Sequence, residues 1–236
     1  MSTNLVLFPR LEQENHKEYA YRLLRDNIMA LNLPPGTPIN EGELSELLNI
    51  SRTPVHEAVM KLKDELLIDV FPQRGSQVSK IDIKTFQEGY FLRYTVETSI
   101  IMEIAGHVSQ DGMEQMQENL ELQRQSAEDG GSVDEFLKLD NAFHQILYYI
   151  AEKPHIWYAV RGVNSHYDRV RYVDAIINSS DLKSFYQEHK KIYYYLLMGV
   201  PPEAELKQFY AAHLGSFQKN FQYILETYPE YFKQVL

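Results

Sequence analysis

The stretch from Asn40 to Gly75, NEGELSELLNISRTPVHEAVMKLKDELLIDVFPQRG, decides the fold of the 236-residue chain. Asn40 can cap a helix, with Glu43 three residues on to reach back in a capping box. Leu44, Leu47 and Leu48 give that helix one apolar face. Asn49-Ile50 makes a tight joint, and Ser51 caps a second helix in which Pro54 falls in the tolerated first turn. In the second helix Val55, Val59, Leu62 and Leu66 recur at i, i+4, i+7 and i+11, an inward stripe. The opposite stripe carries Arg52, His56, Met60 and Lys63. A short helix with a cationic outer face, set on a leucine platform, suits insertion into a DNA major groove. Ile68–Phe71 and Gln77–Ser79 flank Pro72-Gln73-Arg74-Gly75 and read as a hairpin with an arginine at its tip. Together these elements predict a winged helix-turn-helix.

Upstream, residues 1–10 show no helical pattern and are expected to form a loose arm. A helix is predicted over Leu11–Leu31, with Tyr19, Leu23, Leu24, Ile28 and Leu31 inward, ending before Pro34-Pro35-Gly36. Ser79–Asp82 is a short connector, and Asp82 can cap the next helix. From there periodicity is helical throughout, with Ile83–Val108, Asp111–Ala127, Val133–Glu152, Ile156–Ile177, Leu182–Met198, Glu203–Glu226 and a short piece near Pro229–Val235. Breaks fall at Asp129-Gly130-Gly131, Lys153-Pro154, Ser179-Ser180-Asp181 and Val200-Pro201-Pro202, and Ser132 with Glu135 spaces a further capping box. The fold class is therefore mainly α, with a winged helix-turn-helix over 11–80 and an all-helical bundle of six or seven helices over 82–236.

Hydrophobic content of 44% supports real cores, and the absence of cysteine excludes disulfides and thiolate metal sites. No secretory pattern or long apolar run occurs, so the expectation is a cytoplasmic, unanchored protein. The net charge is −10, and residues 1–80 alone hold nine basic and eleven acidic side chains. Total charge thus does not point to nucleic acid; only local clustering on one helix face and the wing does.

The run PPGTPINEGELSELLNISRTPVHEAVMKLKDELLIDVFPQRGSQV resembles the DNA-binding domain of the GntR family of bacterial transcription regulators. PPG, N-E-x-x-L-S-E-L-L, SRTPV, EA and the RG wing occur in order at family spacing. The resemblance implies operator contacts by Ser51, Arg52, Thr53, His56, Lys63, Arg74 and Gly75. Two positions depart from the family pattern: His56 stands where Arg is usual, and Leu66-Leu67 where Gly-Leu is usual. Neutral His offers one donor where Arg offers a five-donor fork, so operator preference is altered. The helix order downstream resembles the FCD ligand-binding domain of the FadR subfamily.

Within the bundle, Asp140 and His144 are i, i+4 on a face continued by Phe143, Leu147 and Ile150. His189 lies on the stripe Phe185, Ile192, Leu196, and His213 on the stripe Leu206, Phe209, Phe217, Phe221. A single inward histidine is most simply a hydrogen-bonded core residue. Three of them with a carboxylate cost several kcal/mol unless something couples them, and a divalent metal such as Zn or Ni suits that donor set. The FCD metal pattern, Asp-x3-His then two later histidines, matches Asp140, His144, His189 and His213. His166, on a stripe with Ala159, Val163 and Val170, is a spare candidate with a core role favoured.

Arg93 shares a face with Glu97, and the plainer reading is an i, i+4 ion pair. The resemblance implies instead a clamp on an effector carboxylate. Arg169 and Arg171 are secondary candidates for that task, with a solvated or interface role favoured. Of the 17 tyrosines, one or two are expected to line the pocket with hydroxyls, and Tyr193 is taken as the candidate.

These residues together point to a ligand-responsive transcription regulator. It would bind a palindromic operator in double-stranded DNA as a homodimer, as a repressor by family habit, and sense a small carboxylate with a metal bound. Alternatives are a regulator whose effector is the metal itself, a purely structural metal, or a metal-dependent hydrolase. The last is disfavoured because no H-E-x-x-H motif is present, so no enzymatic activity is expected.

Overall fold

The computed structural model describes residues 5–177 and 182–233, so the Ser179-Ser180-Asp181 break and Val235 lie outside the described residues. The chain forms two compact units, Met1–Gln87 with Gly162–Val170 and Leu225–Leu236, and Glu88–Arg161 with Arg171–Ile224. No helix among the described residues is long and apolar enough to cross a membrane.

In the first unit α1 (His16–Met29) is capped by Asn15 with Glu18 in a full capping box. It is shorter than its periodicity suggests, because Asn15 supplies the cap that Leu11 cannot. Leu23, Leu24 and Ile28 are fully buried on it. Residues 5–10 of the preceding arm are pinned rather than loose. Asn27, itself buried, accepts from the Val6 N–H (2.7 Å) and donates to the Val6 carbonyl (2.9 Å). The Tyr19 hydroxyl and Arg22 guanidinium donate to the carbonyls of Phe8 and Pro9.

The helix-turn-helix is formed by α2 (Glu41–Leu48) and α3 (Arg52–Asp64). Asn40 caps α2 through the Gly42 and Glu43 N–H groups, and Glu43 bonds the Asn40 amide. Asn49 makes the joint in a left-handed conformation, φ 53°, which Asn tolerates. Ser51 sits at the N-cap of α3 but makes no capping hydrogen bond. Leu47 is half exposed, against expectation, because it lines an open cleft with Leu5, Leu33 and Leu44 rather than the core.

Strands β2 (Ile68–Phe71) and β3 (Gly75–Val78) form the wing, antiparallel with Ile68 opposite Val78 and Phe71 opposite Gly75. A two-residue strand β1 (Pro38–Ile39) pairs with the other edge of β3, giving the order β1-β3-β2. Two residues carry no alternation to read, which is why periodicity misses β1.

Leu66 corrects the expected α3 stripe. The helix stops at Asp64, and Leu66 takes φ 60°. It is 43% exposed, while Leu67 is 1% exposed and fills the core with Val55, Val59 and Leu62. A left-handed backbone costs a β-carbon-bearing residue about 1 kcal/mol or more, which gives a physical sense to glycine at this position.

The second unit is built on α4 (Ile83–Ile104, from Glu88 onward), α5 (Gln110–Glu128), α6 (Val133–Ile150), α7 (Pro154–Val163, as far as Arg161), α8 (Ser165–Ile177, from Arg171 onward), α9 (Leu182–Met198), α10 (Glu203–Leu214) and α11 (Phe221–Thr227, as far as Ile224). Helix α5 packs on α6 and α9. The core gathers Ile101, Phe143, Leu147, Val160, Ile192, Leu196 and Leu206, all essentially without solvent exposure. Two predicted helices are each split. The run 156–177 breaks at Asn164, between α7 and α8. The run 203–226 breaks at Gly215, where an added β-carbon would stand 2.4 Å from the Ala211 carbonyl.

Leu66→Gly is expected to leave the thermal midpoint unchanged or raised, since relief of about 1 kcal/mol offsets the lost contacts. Leu67→Gly should cost at least about 2 kcal/mol. A comparable loss at both positions in thermal denaturation would show that side-chain packing, not the backbone, governs Leu66.

Candidate functional site

The bundle brings all four expected metal candidates into one place. Asp140 and His144 come from α6, His189 from α9 and His213 from α10, and each is at least 95% buried. His144 Nε2 lies 3.3 Å from both His189 Nε2 and His213 Nε2, and Asp140 Oδ1 is 3.5 Å from His189 Nε2. Phe143 stacks on the His189 ring at 4.3 Å, and the His144 and His213 rings stack at 5.3 Å.

The opposite nitrogen of every ring is already committed. His144 Nδ1 is 2.7 Å from Glu97 Oε2, and His213 Nδ1 is 2.7 Å from Glu188 Oε2. An ionised carboxylate only accepts, so both Nδ1 atoms carry the proton. His189 Nδ1 is 2.6 Å from Gln123 Oε1. The amide is oriented by a chain that ends on backbone: Gln123 Nε2 donates to Asn119 Oδ1, and Asn119 Nδ2 donates to the Leu139 carbonyl. That fixes oxygen toward His189, and its Nδ1 is also a donor.

In their neutral form the three rings therefore present only Nε2 lone pairs to one another. Burial favours that form at His144 and His189. It is the main cause holding His144 down at about 4, helped by Arg93 and opposed by Glu97. Burial likewise pushes His189 well below its ordinary range, with Asp140 opposing. Lone pairs converging at 3.3 Å repel unless a cation stands between them. Two imidazole nitrogens on one tetrahedral zinc, each about 2.0–2.1 Å from it, lie about 3.3 Å apart. The donor set fits a divalent ion.

Asp140 has one oxygen toward the histidines, and Arg171 of α8 bonds the other. Burial raises the Asp140 carboxyl, but Arg171, His144, His189 and Arg93 outweigh it and hold it far below the usual carboxylate range. Arg93 is 1% exposed, and its Nε donates to Glu97 Oε1 at 2.7 Å. The i, i+4 pair is thus present, and Glu97 serves both Arg93 and His144. Burial pushes Glu97 up; Arg93 and His144 overcome that and hold it at about 2.

Tyr193 is half-buried, with its ring edge-on to Tyr194, and it makes no hydrogen bond to the histidines among the described residues. The tyrosines buried beside Glu97 and Arg93 are Tyr148 and Tyr210, whose hydroxyls are pushed up by burial and then by the Glu97 charge. His166 is outside the cluster. In the first unit its Nδ1 accepts the Asp82 N–H at 3.0 Å, the core role expected. Arg169 is in the same unit and not solvated, with Nη2 3.1 Å from His166 Nδ1. It is fully buried, donating to the Ser79 carbonyl (2.6 Å) and hydroxyl (3.1 Å).

Gln123 and Glu188, the partners of two histidines, escape the sequence reading. Gln123 does carry a signal: with Met116 and Leu120 it falls at i, i+4, i+7 on the buried face of α5. Glu188 carries none, since it meets His213 from another helix.

The residues expected to contact an operator, Ser51, Arg52, Thr53, His56 and Lys63 of α3 and its cap, and Arg74 and Gly75 of the wing, are all exposed. Arg52 folds back over Gly42, where an added β-carbon would lie 3.5 Å from Nη2. His56 Nδ1 is 3.1 Å from both carboxylate oxygens of Glu41.

Known proteins divide along the same line. Residues 16–78 match the family described as bacterial regulatory proteins, gntR family, and residues 88–207 match the FCD domain. The HTH-type transcriptional repressor RspR of Escherichia coli (strain K12) is 38% identical over 153 residues, 65% of this chain and 67% of that protein. An HTH-type transcriptional regulator in an unstable DNA locus of Streptomyces ambofaciens is 31% identical over 212 residues, 90% of this chain and 87% of that protein. The fold is shared with E. coli McbR/YncC, with a TM-score of 0.73 at 18% identity, over 92% of this chain and 100% of that one.

Gln123→Leu frees the His189 ring and is expected to weaken divalent-metal affinity by about 10–100-fold without loss of helix content. Competition against a chromogenic chelator measures it. An unchanged affinity would remove His189 from the ligand set.

Proposed function

The chain belongs to the GntR family of bacterial regulatory proteins and carries an FCD domain, and from that membership we propose that it is a metal-containing, ligand-responsive repressor. It is a transcription regulator, as are the relatives and fold neighbours it matches, and not an enzyme. In this reading α3 and the wing bind operator DNA, with Arg52, Lys63 and Arg74 supplying cations and Ser51, Thr53 and His56 polar contacts. One recognition helix reads only a few base pairs, so a homodimer on a pseudo-palindrome is the working form. Repression is supported by the similarity to RspR, a transcriptional repressor.

The observation that carries the metal is the convergence of three imidazole lone pairs whose other nitrogens all donate. Zn or Ni, held by Asp140, His144, His189 and His213, fits three nitrogens and an oxygen. Such an ion supplies a fixed positive charge for a small organic acid. Arg93 and Tyr193 remain the proposed effector contacts. The acid acts by binding one dimer arrangement better than another.

A second reading, in which the metal is itself the effector, draws support from Arg93. That guanidinium is enclosed and bonded to Glu97, so a carboxylate ligand would have to displace an existing ion pair.

Elemental analysis of the purified protein is expected to find about one divalent ion per chain, lost in His144→Ala. Equal metal in both overturns the site. Arg52→Ala is expected to weaken operator binding by about 1–3 kcal/mol with the melting midpoint unchanged. Unaltered operator affinity would mean that α3 does not read the DNA.

A further inference from the structure

The proposed DNA-reading face contains a feature that the family resemblance does not supply, a carboxylate from α2 clamping the one imidazole of α3. His56 lies one turn beyond Arg52, and its side chain is 58% exposed. Nδ1 is equidistant, at 3.1 Å, from both oxygens of Glu41, 15 residues away in sequence. The carboxylate can only accept, so Nδ1 carries the proton and is consumed. In the neutral ring Nε2 is then a lone pair, and it makes no hydrogen bond among the described residues.

Stability does not account for this pair. Exposed ion pairs contribute between nothing and about 1 kcal/mol. A carboxylate in the first turn of α2 is favoured by the helix end, but Glu43 also provides that, and the effect does not require contact with His56. A negative group on a surface that approaches phosphates lowers affinity unless it serves in recognition.

We infer that Glu41 is a positioning residue that fixes the tautomer of His56, making Nε2 a single hydrogen-bond acceptor for a base edge. In the major groove, acceptors on the protein pair with exocyclic amines, adenine N6 or cytosine N4; guanine and thymine present acceptors there instead. The couple thus specifies an amine-bearing base at one operator position, the opposite of what an arginine in the same place would select. The inference rests on the reading of α3 as the DNA-contacting helix.

The test is selection from a randomised duplex pool by the full-length protein at about pH 8, above the ordinary imidazole range, with sequencing of the bound fraction. Wild type is expected to enrich adenine or cytosine at one half-site position by up to about tenfold, the size of one hydrogen bond. His56→Ala should flatten that position alone, and His56→Arg should convert it to guanine. Glu41→Ala, which leaves the tautomer free, should broaden it to admit guanine. Glu41→Gln, whose amide oxygen still accepts from Nδ1, should retain the wild-type profile. If His56→Ala leaves the base profile unchanged, or Glu41→Ala matches wild type, the inference is overturned while the DNA-binding reading stands. If no variant, nor wild type, enriches any sequence, the reading of α3 itself falls and the inference with it.

Discussion

An imidazole has two nitrogens, and in a dry interior whatever one of them does dictates the other. That constraint organises the bundle. Glu97, Gln123 and Glu188, from α4, α5 and α9, each take one Nδ1 proton, and the three Nε2 lone pairs are left facing one another. Without a cation the arrangement is repulsive; with one it becomes the tie between α6, α9 and α10. The surrounding charges depend on it. Glu97 stays ionised at about 2 despite complete burial because Arg93 and His144 both touch it. Asp140 stays ionised because Arg171 holds its outer oxygen. A buried charge that loses its partner is costly, so these residues form one interdependent set rather than a group of separable contacts.

The sequence discloses this site unevenly, for physical reasons. Asp140, His144, His189 and His213 are legible because each interrupts an apolar stripe with helical spacing, and a buried polar group demands a partner. Gln123 is legible in principle by the same rule. Glu188 and Tyr210 are not, since their roles depend on which helices meet, and periodicity says nothing about that. The fold shows the same limit. Helix ends marked by side-chain chemistry, such as Asn40, Asp82 and Ser132, are readable. Ends set by backbone geometry are not: Leu66 turns out of α3 at φ 60°, and Gly215 stops α10 because only a bare α-carbon passes the Ala211 carbonyl. The arm over residues 5–10 lacks any period, so its attachment through Asn27 cannot be seen in advance.

The first unit shows how a chain of net charge −10 can present a cationic face. Several of its acidic side chains are paired or used locally. Glu14 meets Arg22, Glu57 meets Lys17, Glu65 meets Arg25, and Glu18 and Glu43 close helix caps. Exposed pairs of this kind add little stability, but they confine negative charge to places where it is already matched. Phosphates respond to the field within about 8–10 Å at physiological salt, not to the total. Arg52, Lys63 and Arg74 can therefore act as a local positive patch in a domain whose first 80 residues sum to a small negative charge. The cost of so few cations is a modest electrostatic contribution to affinity, because each phosphate neutralised adds a nearly fixed increment. If α3 reads the operator as proposed, a domain built this way draws more of its affinity from base edges than from the backbone, which places the weight of recognition on the few polar side chains at the start of α3.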